Sequence, residues 1–137
     1  MPRRKKGDPS IRTLKNKLDI LWSKYIKLSE ANSQGYAACA SCGQMQHISE
    51  MDCGHFISRN HNAGRYKREN CHVQCRKCNR FREGNKAGYA VFLMNKYGPG
   101  IVDELNQLQY KVYRFTIPEL RELIHFCITE MKALNHE

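Results

Sequence analysis

Apolar residues recur at helical spacing over the first part of the chain: Ile11, Leu14, Leu18, Leu21, Trp22, Tyr25 and Leu28. That stripe predicts one amphipathic helix over residues 9–31, with Asp8 as its cap and Pro9 at the first helical position. Residues 32–35 break the pattern, and 36–39 lead into a Cys-x-x-Cys turn. Residues 46–48 and 51–56 then read as two short strands, a hairpin turning at Ser49 and Glu50. Residues 58–69 form a polar, basic loop, and a short helix begins near Cys75 and ends by Gly84. The last third returns to helical spacing. Asn85 caps a helix through Val91, Phe92 and Met94 that stops at Gly98-Pro99. Ile101, Val102, Leu105 and Leu108 mark a shorter helix. The final one follows a capping box from Thr116 to Glu119 and carries Leu120, Leu123, Ile124, Cys127, Met131 and Leu134 on one side.

The predicted fold class is α+β. A basic arm occupies residues 1–7, an N-terminal amphipathic helix 8–35, a metal-stabilised core 36–86 and a C-terminal helical region 87–137. Each long apolar stripe serves either as a core face or as the seam of a homodimer.

Charge narrows the choice of partner. The chain has 137 residues and a formal net charge of +10. Nine of its 23 basic residues fall in 1–30 and nine in 58–86, against three and two acids. Two basic segments flanking a polar middle point to a polyanion, nucleic acid first. No stretch approaches the ~18 apolar residues of a membrane span, and no apolar signal core follows the basic start. Seven cysteines is an odd number for a disulfide framework, so the expected location is cytoplasmic, where thiols stay reduced.

Four of those cysteines are paired by spacing as Cys39-Ala-Ser-Cys42 and Cys75-Arg-Lys-Cys78, with 32 residues between the pairs. Two such turns converge four sulfurs on one tetrahedral zinc. Four thiolates leave no open position, so this zinc is expected to be structural and to supply folding energy to an aliphatic-poor middle. Cys53, Cys71 and Cys127 remain, as small buried residues, with Cys71 a competing zinc ligand.

Chemistry must then come from the set Asp52, His55, Asn70 and Asn79. An imidazole takes a proton near neutral pH, and Asp and Asn oxygens suit a hard ion such as magnesium. Together they meet the needs of phosphodiester hydrolysis. Arg59, Arg65, Lys67, Arg68, Arg76, Lys77, Arg80, Arg82 and Lys86 read as phosphate contacts that position without reading sequence. Tyr66 and Phe81 interleave with them, either as wedges at an opened branch or, for Phe81, as packing of a small core.

The runs Asp52-Cys-Gly-His55-Phe and Asn70-Cys-His72-Val-Gln74-Cys75-Arg-Lys-Cys78-Asn79 resemble the NinG (Rap) family of lambdoid phage recombination nucleases. The resemblance covers about residues 36–105. It extends to the wider His-Asn-His group with a ββα-metal core, and the zinc-clipped arrangement is similar to that of phage endonuclease VII. It implies a homodimeric endonuclease for branched DNA such as Holliday junctions and D-loops. It further implies His55 as general base, Asn79 and Asp52 as ligands of catalytic magnesium or manganese, and Asn70 orienting the His55 loop. His72 belongs to the pattern, with packing beside the zinc as its expected role. One departure stands out: two residues separate Asp52 from His55. In a regular strand positions three apart face opposite sides, so both reach one metal only if Gly54 permits a bulge or turn. Three other readings stay open on the residues alone: a non-catalytic zinc DNA-binding module, a sequence-specific His-Asn-His nuclease, and zinc-stabilised RNA binding.

Overall fold

A computed structural model describes residues 7–135; apart from Gly7, the predicted basic arm lies outside them. The architecture is mixed α+β. Helix α1 (Ile11–Glu30) is capped by Ser10, whose hydroxyl accepts from the Thr13 amide at 3.0 Å. The cap thus sits two residues later than Asp8, because a serine oxygen there already satisfies a free first-turn N–H.

Four short strands follow, and they do not pair as predicted. β1 (Tyr36–Ala38) pairs antiparallel with β2 (Met45–His47), and β3 (Met51–His55) with β4 (Cys71–Cys75). The predicted hairpin at Ser49 and Glu50 is instead a single 3₁₀ turn, Ile48–Glu50, that carries the chain from one two-stranded sheet to the other. β1 and β2 flank the first Cys-x-x-Cys turn, and β4 runs straight into the second. The supposed loop 58–69 contains one helical turn, α2 (Asn62–Arg65). After β4 the helix predicted from Cys75 is a π-helical turn, Lys77–Phe81. It is followed by α3 (Lys86–Tyr97), α4 (Ile101–Gln107) and α5 (Ile117–Asn135). The Glu119 amide donates to Thr116 Oγ1 at 3.3 Å, one half of the predicted capping box. Asn85 adopts φ +41° and makes no side-chain cap; its amide instead reaches Cys78 Sγ at 3.4 Å.

The apolar stripes of α1 and α5 find each other. Leu14, Leu18, Trp22 and Ile26 pack with Phe115, Leu120, Ile124 and Cys127, and Cys71 of β4 closes the cluster. Leu18, Ile26, Leu120 and Cys127 have no exposed surface, and each fully buried aliphatic contributes about 2 kcal/mol. These stripes are therefore core faces within one chain. A second cluster joins Phe56 and Ile57 to Tyr89, Leu93, Ile101 and Leu105. Among the described residues, no helix is long and apolar enough to cross a membrane.

Two close approaches lock the middle. A Cβ at Gly88 would lie 2.1 Å from the Ser41 carbonyl oxygen, so only glycine lets α3 pass the first Cys-x-x-Cys turn. The Gln74 amide donates to Ser41 Oγ and to the Gly84 carbonyl, both at 2.7 Å, tying that turn to β4 and to the exit of the π-helical turn.

Candidate active site and metal centre

The sulfurs of Cys39, Cys42, Cys75 and Cys78 lie within 4.8 Å of one another. Tetrahedral zinc with Zn–S bonds of ~2.3 Å requires S···S edges of about 3.8 Å, and Cys42 and Cys75 are separated by 3.8 Å. The Cys78 amide points at Cys75 Sγ at 3.4 Å, as the backbone of a Cys-x-x-Cys turn does when it turns inward. Burial and the surrounding thiols push Cys75 up to about 12. A cation would offset the charge of thiolates gathered this closely, so the donor set and spacing fit zinc.

Beside this centre, α1, β3 and the π-helical turn enclose a cleft of about 420 Å³. Asp52, His55 and Asn79 all line it, together with Cys53, Asp19, Arg59 and Arg80. Asp52 accepts from Asn79 Nδ2 at 3.0 Å and from Arg80 Nε and Nη2, each at 2.9 Å. Burial raises the Asp52 pKa, but the Arg80 guanidinium and the Asn79 amide outweigh it and hold the carboxyl below its ordinary value.

The expected bulge at Gly54 does not form. Ladder pairing runs unbroken from Met51↔Cys75 to His55↔Cys71, and Asp52 reaches the cleft from a regular strand by meeting Asn79 and Arg80. Gly54 has a different role: a Cβ there would lie 1.8 Å from Gln74 Oε1. Its missing side chain is the space the buried Gln74 amide fills.

His55 ends β3, and its Nε2 donates to the Arg65 carbonyl at 2.9 Å. That bond leaves Nδ1 as the nitrogen able to accept a proton. Burial works against the imidazolium, yet the adjoining Cys71 thiol and the Arg65 carbonyl carry the pKa above its ordinary value. Asn70, fully buried, accepts from the Ile57 amide at 2.7 Å and donates to the Ile57 and Gly64 carbonyls at 2.9 and 3.0 Å. It fixes the segment that leaves β3 just after His55.

His72 sits in an aromatic box of Tyr89, Phe92 and Tyr97. The Tyr89 hydroxyl donates to the Gly54 carbonyl at 2.8 Å. Its oxygen therefore accepts from His72 Nδ1 (3.2 Å), which leaves Nε2 to accept from Tyr97 (2.9 Å). The ring is thereby assigned as neutral. Burial, with Arg68 and Lys96 nearby, brings it down to about 3. Its neighbours are these rings, so it braces α3 against the strands.

The basic residues divide. Arg65 is bound to Asp19 through Nε at 3.0 Å and through Nη2, with 13% of its side chain exposed. Arg68 spans the Cys71 carbonyl at 2.7 Å and Glu30 at 3.2 Å. Both brace the fold, because a half-buried guanidinium takes the nearest carboxylate. Lys67 pairs loosely with Glu69 at 3.8 Å and Arg76 with Glu50 at 3.3 Å. Arg59, Lys67, Arg76, Lys77, Arg80, Arg82 and Lys86 are exposed. Tyr66 is no surface wedge: its hydroxyl donates to Asp19 at 2.8 Å and its ring packs on Trp22 and Phe115. Phe81 is the reverse of a core residue, 81% exposed between Arg80 and Arg82. Asp19 escaped the sequence reading, although it holds Arg65, whose carbonyl in turn receives His55. Its only signal was being one of two acids, with Glu30, on a basic helix.

A sequence model of the bacteriophage lambda NinG protein matches residues 3–137. The ninG proteins of Escherichia phage 933W, Salmonella phage P22 and Escherichia phage lambda are 34%, 33% and 33% identical over 88 residues, or 62% of this chain. The match covers 42%, 41% and 41% of their respective lengths, so the chain corresponds to about two fifths of those relatives. No solved structure matches. With a family model that spans nearly all of it, the chain belongs to the bacteriophage lambda NinG protein family.

Proposed function

We propose that this protein is a zinc-stabilised, metal-dependent DNA endonuclease of the ββα-metal kind, selective for branched DNA. The observation that carries the reading is the convergence of Asp52, Asn79 and His55 on one cleft beside the four-cysteine centre. In this reading β3, β4 and the π-helical turn form the ββα unit.

A carboxylate and an amide in contact form a hard-oxygen pair, which suits magnesium or manganese held by Asp52 and Asn79. When bound, that ion would supply charge stabilisation to the scissile phosphate. Arg80 now occupies both Asp52 oxygens; displaced, its exposed guanidinium becomes a phosphate contact. His55 Nδ1 takes the proton of the attacking water, while the Arg65 carbonyl fixes the ring through Nε2. Arg59, Lys77, Arg82 and Lys86 supply phosphate contacts, and Phe81 stacks on a base exposed at the branch. Two opposed cuts across a junction call for two sites, most simply a two-fold homodimer.

The test is cleavage of a synthetic four-way junction beside its matched linear duplex, with magnesium, for wild type and His55→Ala. Junction-selective nicks lost in the variant support the reading. Tight binding without cutting by either protein replaces it with a DNA-binding module. Equal cutting of both substrates keeps the nuclease and removes the branch selectivity.

A further inference from the structure

A second group of metal-binding side chains lies on the same sheet but apart from the four-cysteine centre. Cys53 and His55 are two apart on β3 and so share a face. Cys71 stands directly opposite His55 on β4. The regular ladder thus gathers two sulfurs and an imidazole, and their ligand atoms lie within 4.8 Å of one another. Cys53 and His55 line the cleft, so the group is open to ions from solvent, while Cys71 is wholly buried. The indole N–H of Trp22, in the same cluster as Cys71, is buried without a hydrogen-bond partner.

From this placement we infer that Cys53, His55 and Cys71 form a second, weaker site for a thiophilic cation such as zinc. Two sulfurs and one imidazole are a soft-to-borderline donor set, which selects zinc over magnesium. Three protein ligands leave one position for water, so affinity falls below that of the four-thiolate centre. The backbone bond from His55 to Arg65 is the kind of support that orients a ligating imidazole. The inference does not depend on nuclease activity. If the nuclease reading holds, zinc here takes the imidazole that cleavage requires, and excess zinc inhibits.

The experiment is a zinc titration of the reduced 137-residue protein without DNA, with bound metal counted by mass spectrometry. Cobalt(II) absorption serves as a reporter of thiolate ligation. The expected result is about two equivalents in wild type. Cys53→Ala and Cys71→Val should each lose the weaker one and retain the tight one. Two variants are used so that a folding defect in the buried Cys71→Val leaves Cys53→Ala to decide, with circular dichroism as the check on folding. A single equivalent in wild type, or a second equivalent that both variants keep, overturns the site.

Discussion

Asn79 donates its side-chain amide to Asp52 Oδ2 at 3.0 Å, although 27 positions separate the two in sequence. The contact is made by the π-helical turn, which begins two residues before Asn79 and lays it, with Arg80, over the start of β3. Asp52→Ala and Asn79→Ala should therefore abolish magnesium-dependent cleavage while costing only about 1 kcal/mol of stability. Single-turnover cleavage beside thermal melts checks the split; a large loss of Tm with proportionate loss of activity would assign the pair a structural role alone.

Chelation tests the four-cysteine centre. Removing zinc, or replacing Cys39 by Ser, should lower Tm by roughly 10 °C or more. The Cys75 and Cys78 thiols, buried in the folded protein, should then react with a thiol reagent at the rate of exposed ones. Magnesium would not restore their protection, whereas zinc would.

Gly54→Ala should be costly. The new methyl would meet the buried Gln74 side chain, which holds the Ser41 hydroxyl and the Gly84 carbonyl. Displacing it would break both bonds, and about 3 kcal/mol is expected. Denaturant unfolding of Gly54→Ala beside Gly54→Ala/Gln74→Ala checks the cause, since the double variant should recover part of the loss.

His72 makes stability depend on acid. Its folded pKa is lowered to about 3, against ~6.5 unfolded. Above the unfolded value neither state takes up a proton and its contribution is intact. Between the two values only the unfolded chain binds a proton, so stability falls with pH by about 1.4 kcal/mol per unit. Melting curves across that window should be steeper in pH for wild type than for His72→Gln, the carboxylates supplying the slope common to both.

Phe81→Ala should leave Tm unchanged, because the ring is 81% exposed. Its effect should appear only in binding, as a loss for junctions and single strands with little change for duplex. Fluorescence anisotropy at matched salt checks this; an equal loss on all three DNAs would remove the stacking role.

Helix positions were legible in the sequence because a 3.6-residue stripe is a local signal. The residues from Ile11 to Leu28 marked α1, and Leu120, Ile124 and Cys127 marked α5. The four zinc-type cysteines were legible from spacing alone. Strand pairing was not: β1 to β4 hold three to five residues each, too few to fix a partner when a Cys-x-x-Cys turn joins β1 to β2 and a long segment carrying α2 joins β3 to β4. Arg65 and Arg68 looked like phosphate contacts because basic residues carry no mark of the carboxylate they face. Asp19 and Glu30 lie 46 and 38 positions away. Gly54 was legible as special, but the reason was Gln74 on the opposite strand.

The clasp between α1 and α5 sets an order of events during synthesis. Leu18 meets its α5 partners only when Leu120 and Ile124 exist, about a hundred residues later in translation. Until then the apolar face of α1 is covered only by residues from the middle of the chain such as Tyr66 and Cys71, and both Cys-x-x-Cys turns have already been made. Metal capture can therefore come first on the ribosome, leaving helix closure to finish the fold.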